Sequence, residues 1–470
     1  MTKNIYKQAL ILVLLLGFSF ALLAQQPQRD FSKENARASQ NWVKDAVIYE
    51  IFPRQYSQKG DFNSITADLD RLKNLGVTVL WLMPIHPIGQ EKKKGTIGSP
   101  YAVRDYYAIN PDYGTPQDLK RLISEAHKRG LKVIIDIVAN HTAWDSVMMK
   151  NKAFYTRDKN GNIIPPVPDW ADVADLNFDN PELRKYMIEM LKFWIREYDL
   201  DGFRADVAGF IPTDFWETAR REVDKIKPDT IWLAEWESPD LLVKAFNLDY
   251  SWANHSVLMN VFFGNAPASE IRKVWEADRA KMPKGAIRMR FSDNHDERRA
   301  IARFGEKGAL AAQALVFTLD GVPLIYNGME NGDTTESGSP ALFEKLPVFW
   351  QIAERRQEFP RFYKAMIELR KNSVALRRGD LAWLKNSDEN RVVTFLRRSG
   401  SEEILVAINM TNAPFFGSVE TSGNFEEITP RIGQPLPPDD DKMKAERGTN
   451  VGLPSLSLDA FGFRIFKRKN

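Results

Sequence analysis

Four short apolar runs end in side chains suited to acid–base and ionic chemistry. They end in Asp136-Ile-Val-Ala-Asn140-His141, in Gly202-Phe-Arg204-Ala-Asp206, in Ala234-Glu235 and in Asp293-Asn294-His295-Asp296. Carboxyl groups that share a site do not ionise alike. Burial and like charge raise at least one pKa, so one group keeps its proton while another stays anionic. Cleavage of a glycosidic bond needs that pairing: a proton donor for the leaving oxygen and a carboxylate for the cationic sugar carbon. Arg204 lies two residues before Asp206, on the same side of an extended strand, where it can hold that carboxylate ionised. His141 and His295 are two of the 5 histidines in the chain, so their place in the same set carries weight. A salt bridge explains one Asp at a strand end equally well, but it does not explain the whole set in this order.

These groups meet only if the runs that carry them are neighbours in space. Residues 46–52, 77–83, 132–138, 201–206, 230–235, 248–252, 287–291 and 322–326 are short and apolar, with many β-branched and aromatic residues, and read as strands. Helical patterns lie between most of them. Ile65, Leu69, Leu72 and Leu75 recur at helical spacing before Gly76. Thr115 and Pro116 open a second helix that Gly130 closes. Asn180 and Pro181 open a third, with Leu183, Met187, Met190, Leu191 and Trp194 on one face. Eight such strands with helical crossovers predict an α/β fold, a (β/α)8 TIM barrel, whose catalytic groups sit at the C-terminal ends of the strands. An open doubly wound sheet is the alternative, and no Gly-rich phosphate loop follows the first strand to support it.

The barrel is expected over residues 43–376. Residues 143–178 are too many for a plain loop, and their turn signals predict a small subdomain inserted after the third strand. Over residues 377–470 the long helices stop. Short runs at 392–396, 404–408 and 456–466 predict a C-terminal antiparallel β-sandwich, with 435–449 as an exposed loop.

Composition narrows the field. The 65 Lys and Arg nearly balance the 62 Asp and Glu, and no basic block stands out, so no nucleic-acid partner is expected. The absence of Cys excludes disulfides, thiolate metal sites, a Cys nucleophile and a lipidated cysteine anchor. Lys3 and Lys7, then an apolar run over 9–24, then Gln-Gln-Pro-Gln-Arg-Asp read as a signal peptide over 1–24 and predict export to the periplasm or beyond. The run is shorter than the roughly 20 residues of a membrane span, so no stable anchor is expected. Residues 25–42 are polar and aperiodic and read as a linker.

Taken together, the strand ends resemble the motifs of the α-amylase family of retaining glycoside hydrolases, which includes α-amylase and neopullulanase-like enzymes. Asp136 to His141 resembles the first motif, Gly202 to Asp206 the second, the strand ending in Glu235 the third, and Asn294-His295-Asp296 the fourth. Ala174-Asp175-Leu176-Asn177 resembles the extra motif of the insert. Ser99-Pro-Tyr101…Asp105-Tyr106 and Gly321 to Glu330 also look familial, and the resemblance covers residues 43–470. It implies that Asp206 is the nucleophile and Glu235 the general acid and then base. Asp296 would bind sugar hydroxyls and stabilise the oxocarbenium-like state. His141 and His295 would bond the same ring, Tyr101 would stack on it, and Arg204 would support Asp206. The implied reaction is hydrolysis of α-1,4-glucosidic bonds in starch-like glucans or maltooligosaccharides, with no cofactor required for the chemistry. A transglycosylase or sugar isomerase would share the intermediate. A catalytically inactive glycan-binding barrel is the alternative of another class, and the intact Asp206, Glu235 and Asp296 set speaks against it.

Two departures stand out. Many members follow the second motif with Lys-His, where this chain has Gly209 and Phe210. Phe210 and Trp236, near Trp170, offer ring faces on which sugars could stack. Asn140 and Asp175 match positions that ligate a structural calcium in many members. The resemblance leaves open both a calcium there and plain hydrogen-bonded loop residues.

Overall fold

The computed structural model describes residues 29–430 and 453–469. Residues 1–24, expected as a signal peptide, and 435–449, expected as an exposed loop, lie outside the described residues. Eight parallel strands close a barrel: β1 (Ile48–Ile51), β2 (Val79–Leu82), β3 (Lys132–Ile137), β4 (Gly202–Ala205), β5 (Ile231–Ala234), β6 (Leu248–Tyr250), β7 (Ile287–Arg290) and β8 (Val322–Tyr326). Each pairs with the next in chain order, and β8 closes on β1 through Ile48 opposite Leu324.

Alternation along each strand builds two cores. Ile48, Val79, Trp81, Ile134, Leu233, Tyr250, Met289 and Leu324 fill the barrel interior. Tyr49, Leu80, Val133, Ile135, Phe203, Trp232 and Ile325 face the surrounding helices. Gly202 opens β4 at φ 146°, and a Cβ there would meet the Ile231 carbonyl oxygen at 1.8 Å, so only glycine lets β4 and β5 approach this closely.

The helix Pro116–Lys128 begins as its sequence predicts. The Thr115 hydroxyl accepts the Asp118 N–H, and the Asp118 carboxylate accepts the Thr115 N–H in return. The run from Ile65 to Leu75, expected as one helix, is two: Phe62–Ala67 and Leu69–Leu75. They part at Asp68, whose carboxylate takes bonds from the Tyr56 hydroxyl and Arg71, satisfying a turn in place of a continuous helix.

Between β3 and its return, His141–Ala143 pairs antiparallel with Val173–Asp175, and 3-10 turns at Val147–Lys150 and Lys152–Phe154 fill the interval. Residues 30–37, read as part of a linker, instead dock on the barrel. Ala36 donates to the Lys284 carbonyl, Lys284 to that of Glu34, and Arg37 reaches Asp224 at 2.6 Å.

The C-terminal region forms β9 (Asp380–Trp383), β10 (Val392–Ser399), β11 (Glu402–Asn409), β12 (Phe415–Ser418), β13 (Phe425–Glu427), β14 (Ser455–Leu458) and β15 (Phe463–Arg468). A five-stranded antiparallel sheet, ordered β9-β10-β11-β15-β13, faces the β12-β14 ribbon across Val392, Leu396, Leu405, Phe415, Leu456 and Phe466. The run 456–466, expected as one strand, is split between the two sheets. Asp459-Ala-Phe-Gly462 closes a turn with the Gly462 N–H on the Asp459 carbonyl and Phe461 at φ 53° in its third position.

Asp201, just before β4, ties the lower end of the barrel together. Its buried carboxylate accepts from the Val133 N–H at 2.9 Å, His127 at 2.7 Å and Lys132 at 2.9 Å. Burial alone would raise its pKa, but these partners and Lys227 outweigh that and hold it below the usual carboxylate range. A depressed folded pKa contributes stability above the unfolded value of about 4, and that stability is lost as pH falls through the folded value. Asp201→Asn is therefore expected to cost about 2–3 kcal/mol near neutral pH. The loss should shrink under strong acid in paired thermal melts. An equal loss at both pH values would remove the charge from the explanation.

Candidate active site

The four motif-bearing strands bring their ends to one rim, around a cavity of about 280 Å³. Its lining includes Tyr101, His141, Trp170, Asp206, Glu235, His295 and Asp296. Arg204, fully buried beneath it, is the hub. Its Nη1 donates to Asp136 at 2.9 Å and to Asp206 at 3.0 Å. Its Nη2 lies 3.0 Å from Glu235 Oε2, an ion-pair contact without hydrogen-bond alignment. The sequence reading gave Arg204 one carboxylate to hold; it holds three. Its guanidinium lies over the rings of Trp81, Tyr250 and Tyr101 at 5.2, 5.7 and 5.8 Å, which fix its plane.

Burial raises both catalytic candidates, and Arg204 pulls both back. Asp206 reaches about 7, with Asp136 and Asp296 adding to the rise. Glu235 reaches about 8, with Asp206 and Asp296 adding to it. The proton therefore stays longer on Glu235, and the two groups titrate as a coupled pair. Glu235 also accepts the Val207 N–H at 2.8 Å. Val207 sits at φ 36°, ψ 48°, a left-handed conformation costly for a β-branched residue, directly after Asp206. This strained turn aims its N–H at Glu235.

Asp296 is the most open of the three carboxylates, with its side chain 35% exposed, and its pKa falls below the usual range because His295 outweighs burial. Tyr101 stacks on His295 at 5.5 Å. Burial pushes the His141 pKa down to about 4, so His141 is neutral near neutral pH. An ionised carboxylate, a protonated carboxyl, a third carboxylate and two histidines thus face one cavity.

Phe210 and Trp236 do not line this cavity. They adjoin it through Trp170, with Phe210 6.1 Å from Trp170 and 5.2 Å from Trp236. Phe210 is 43% exposed, an apolar face at the rim. Gly209 lies under Trp236: a Cβ there would meet the indole at 2.1 Å. The missing Lys and the presence of Trp236 are thus one packing solution. Gly209→Lys is expected to displace Trp236 and lower stability by about 1–3 kcal/mol, read as a drop in thermal midpoint with quenched or shifted tryptophan emission. An unmoved midpoint and spectrum would show that Trp236 does not need the glycine.

Asn140 is buried beside His141, and Asp175 is paired in the ribbon opposite His141. Together they offer one amide and one carboxylate, against the 6–8 oxygens that Ca²⁺ takes. The described residues hold no group of three or more His, Asp and Glu side chains placed to share a metal. These side chains alone do not fit a calcium cage.

Sequence reasoning missed several groups. Lys94 lines the cavity, bonded to the Asp169 carbonyl at 2.7 Å and paired with Asp172 at 3.1 Å. It sits in a Glu91-Lys-Lys-Lys94 run that reads as a solvated surface. Leu342 and Phe343 supply an apolar wall from beyond β8. Glu50 lies inside the first apolar run and pairs with His295.

The comparisons with known proteins agree with this geometry. A family model described as the alpha amylase catalytic domain matches residues 29–161 and 168–368. The "Intracellular maltogenic amylase" of Bacillus subtilis is 30% identical over 417 residues, covering 79% of this chain and 69% of that protein. "Alpha-amylase 3" of Dictyoglomus thermophilum is 29% identical over 455 residues, covering 82% and 87%. Among solved structures, an alpha-amylase from Lactobacillus plantarum superposes with a TM-score of 0.79 at 30% identity, covering 92% of this chain and 100% of that one. A noncanonic maltogenic alpha-amylase from Thermotoga neapolitana gives 0.78 at 31%, covering 91% and 97%. No helix among the described residues is long and apolar enough to cross a membrane.

Proposed function

The chain belongs to the α-amylase family of glycoside hydrolases, and from that premise we propose that it hydrolyses α-1,4-glucosidic bonds in starch-like glucans or maltooligosaccharides with retention, through a covalent glycosyl-enzyme on Asp206. One observation carries the reading. A single guanidinium, that of Arg204, lies 3.0 Å from Asp206 and 3.0 Å from Glu235. A shared cation draws the two carboxyls together. It holds both carboxyls at one cavity; retention is what membership of the α-amylase family of retaining hydrolases implies.

In the first half-reaction Glu235 gives its proton to the glycosidic oxygen. Asp206 bonds to the anomeric carbon as the carbon–oxygen bond to the leaving sugar breaks. In the second, Glu235 takes a proton from water, whose oxygen displaces Asp206. Asp296 faces the developing positive charge, and His141 and His295 bond ring hydroxyls. The relatives' names, amylase and maltogenic amylase, support an α-glucan substrate.

The deciding experiment incubates the full chain with soluble starch, maltoheptaose, pullulan and cyclodextrins and follows product size and anomeric form by NMR. Initial release of α-anomers is expected. Initial β-anomers would overturn retention, and no turnover of any of the four would overturn the substrate. Export is part of the same proposal. Protein recovered from the periplasm or medium should start at residue 25 by mass, and an intact Met1 would overturn that.

A further inference from the structure

We propose that Glu50 is a positioning residue for this reaction, acting through His295 to keep the imidazole doubly protonated and so to order the hydrogen-bonded chain that ends on Asp206. The inference rests on the glycosidase reading of the site. Glu50 is the third residue of β1, fully buried, and does not line the cavity. One of its carboxylate oxygens pairs with His295 Nδ1. The other ring nitrogen, Nε2, lies 2.7 Å from the Tyr101 hydroxyl and 3.1 Å from Asp296.

Donor and acceptor accounting then fixes the protons. An ionised carboxylate only accepts, so Nδ1 carries a proton for Glu50. Nε2 faces the ionised Asp296, which only accepts, at 3.1 Å, and the Tyr101 hydroxyl, whose proton goes to Asp136 3.1 Å away. Nε2 therefore carries a proton too, and the ring is an imidazolium. Asp136 in turn accepts from Arg204, which donates to Asp206. The chain runs Glu50, His295, Tyr101, Asp136, Arg204, Asp206, and includes residues of β1, β3 and β4.

The groups that face this imidazolium are Glu50 from β1, Tyr101 from the loop after β2, Asp136 from β3, Arg204 from β4 and Asp296 beside it. The edge of Trp81 closes the remaining side at 5.8 Å. Burial works against a charged ring, but Asp296 and Glu50 outweigh it and lift the His295 pKa well above the usual histidine range. Burial also raises Glu50, with His295 opposing the rise. A purely structural residue would serve poorly here, because the second Glu50 oxygen is buried without a partner. An apolar side chain would avoid that penalty.

The test uses the full-length protein and Glu50→Gln, which keeps the size and an acceptor oxygen for Nδ1–H but removes the charge. With 5 histidines, the ring signals of a histidine-labelled sample separate well, and His295→Gln identifies the one of interest. In Glu50→Gln, His295 should titrate at least about one pH unit lower. The rate constant kcat on maltoheptaose should fall about tenfold or more above neutral pH, with the alkaline limb moved to lower pH and KM changed less. Glu50→Asp, which keeps the charge, should restore part of kcat. An unmoved His295 titration and pH profile would overturn the proposal, as would a loss of activity that only tracks a fall in thermal midpoint. The NMR titration needs no substrate, so it decides the His295 assignment even if glucan hydrolysis fails.

Discussion

Asp206→Asn is expected to lower kcat on maltooligosaccharides by about 10⁴-fold or more, while the thermal midpoint near pH 8 stays level with the unchanged chain or rises above it. The first half follows from chemistry. An amide of the same shape cannot form the glycosyl ester, and Arg204 would still occupy its place against Asp136 and Glu235. The second half follows from linkage. Burial lifts Asp206 to about 7, well above an ordinary Asp. An acid whose folded pKa exceeds its unfolded value binds more protons in the fold, so it lowers stability progressively from about pH 4 upwards. The penalty is complete above the folded value, and Asn carries none of it. Asp206 also helps to raise Glu235, so its removal should let Glu235 ionise at lower pH. Rapid-quench kinetics and melts on one preparation check both halves. Substantial residual turnover would remove Asp206 from the nucleophile's role. A large fall in midpoint would mean that its charge supports the fold, contrary to the sign argued here.

The legible parts of this molecule were those written in local patterns. The eight barrel strands could be read because each is an apolar run bounded by a helix or turn signal. That Asp206, Glu235 and Asp296 share one cavity could be read because a barrel gathers its strand ends at one rim. What escaped depends on partners far away in sequence. Glu50 is one polar residue inside an apolar strand, and its meaning lies in His295, 245 positions later. Gly209 reads as a simple departure until Trp236 is seen lying over it. Asp68 breaks an otherwise regular helical pattern because Tyr56 and Arg71 compete for its carboxylate. The split of 456–466 was visible in principle, since Asp459 and Gly462 stand at turn spacing, but the alternation on either side outweighed them. In each case periodicity reported the face a residue belongs to, while the missing information was the identity of the group opposite.

Glu235→Gln tests the other half of the acid pair and should behave differently from Asp206→Asn. On maltooligosaccharides, kcat should fall by roughly 10²–10⁴-fold, the usual worth of a positioned general acid. On an α-glucoside of an acidic phenol the first step should fall much less, because that leaving group departs without a proton. A covalent glycosyl-enzyme should then accumulate if Glu235 is also the base for the incoming water, as proposed. The pH profile separates the roles further. In the unchanged chain, kcat/KM rises as the Asp206 and Glu235 pair loses its first proton and falls as it loses the second. Burial places the second loss, chiefly from Glu235, high, at about 8. Glutamine removes that proton, so the alkaline limb should disappear while the acid limb, set by Asp206, remains. Intact-mass detection of the adduct under burst conditions would tie the two variants together: Glu235→Gln accumulates it and Asp206→Asn never forms it. An alkaline limb that survives in Glu235→Gln would mean that another group delivers the proton.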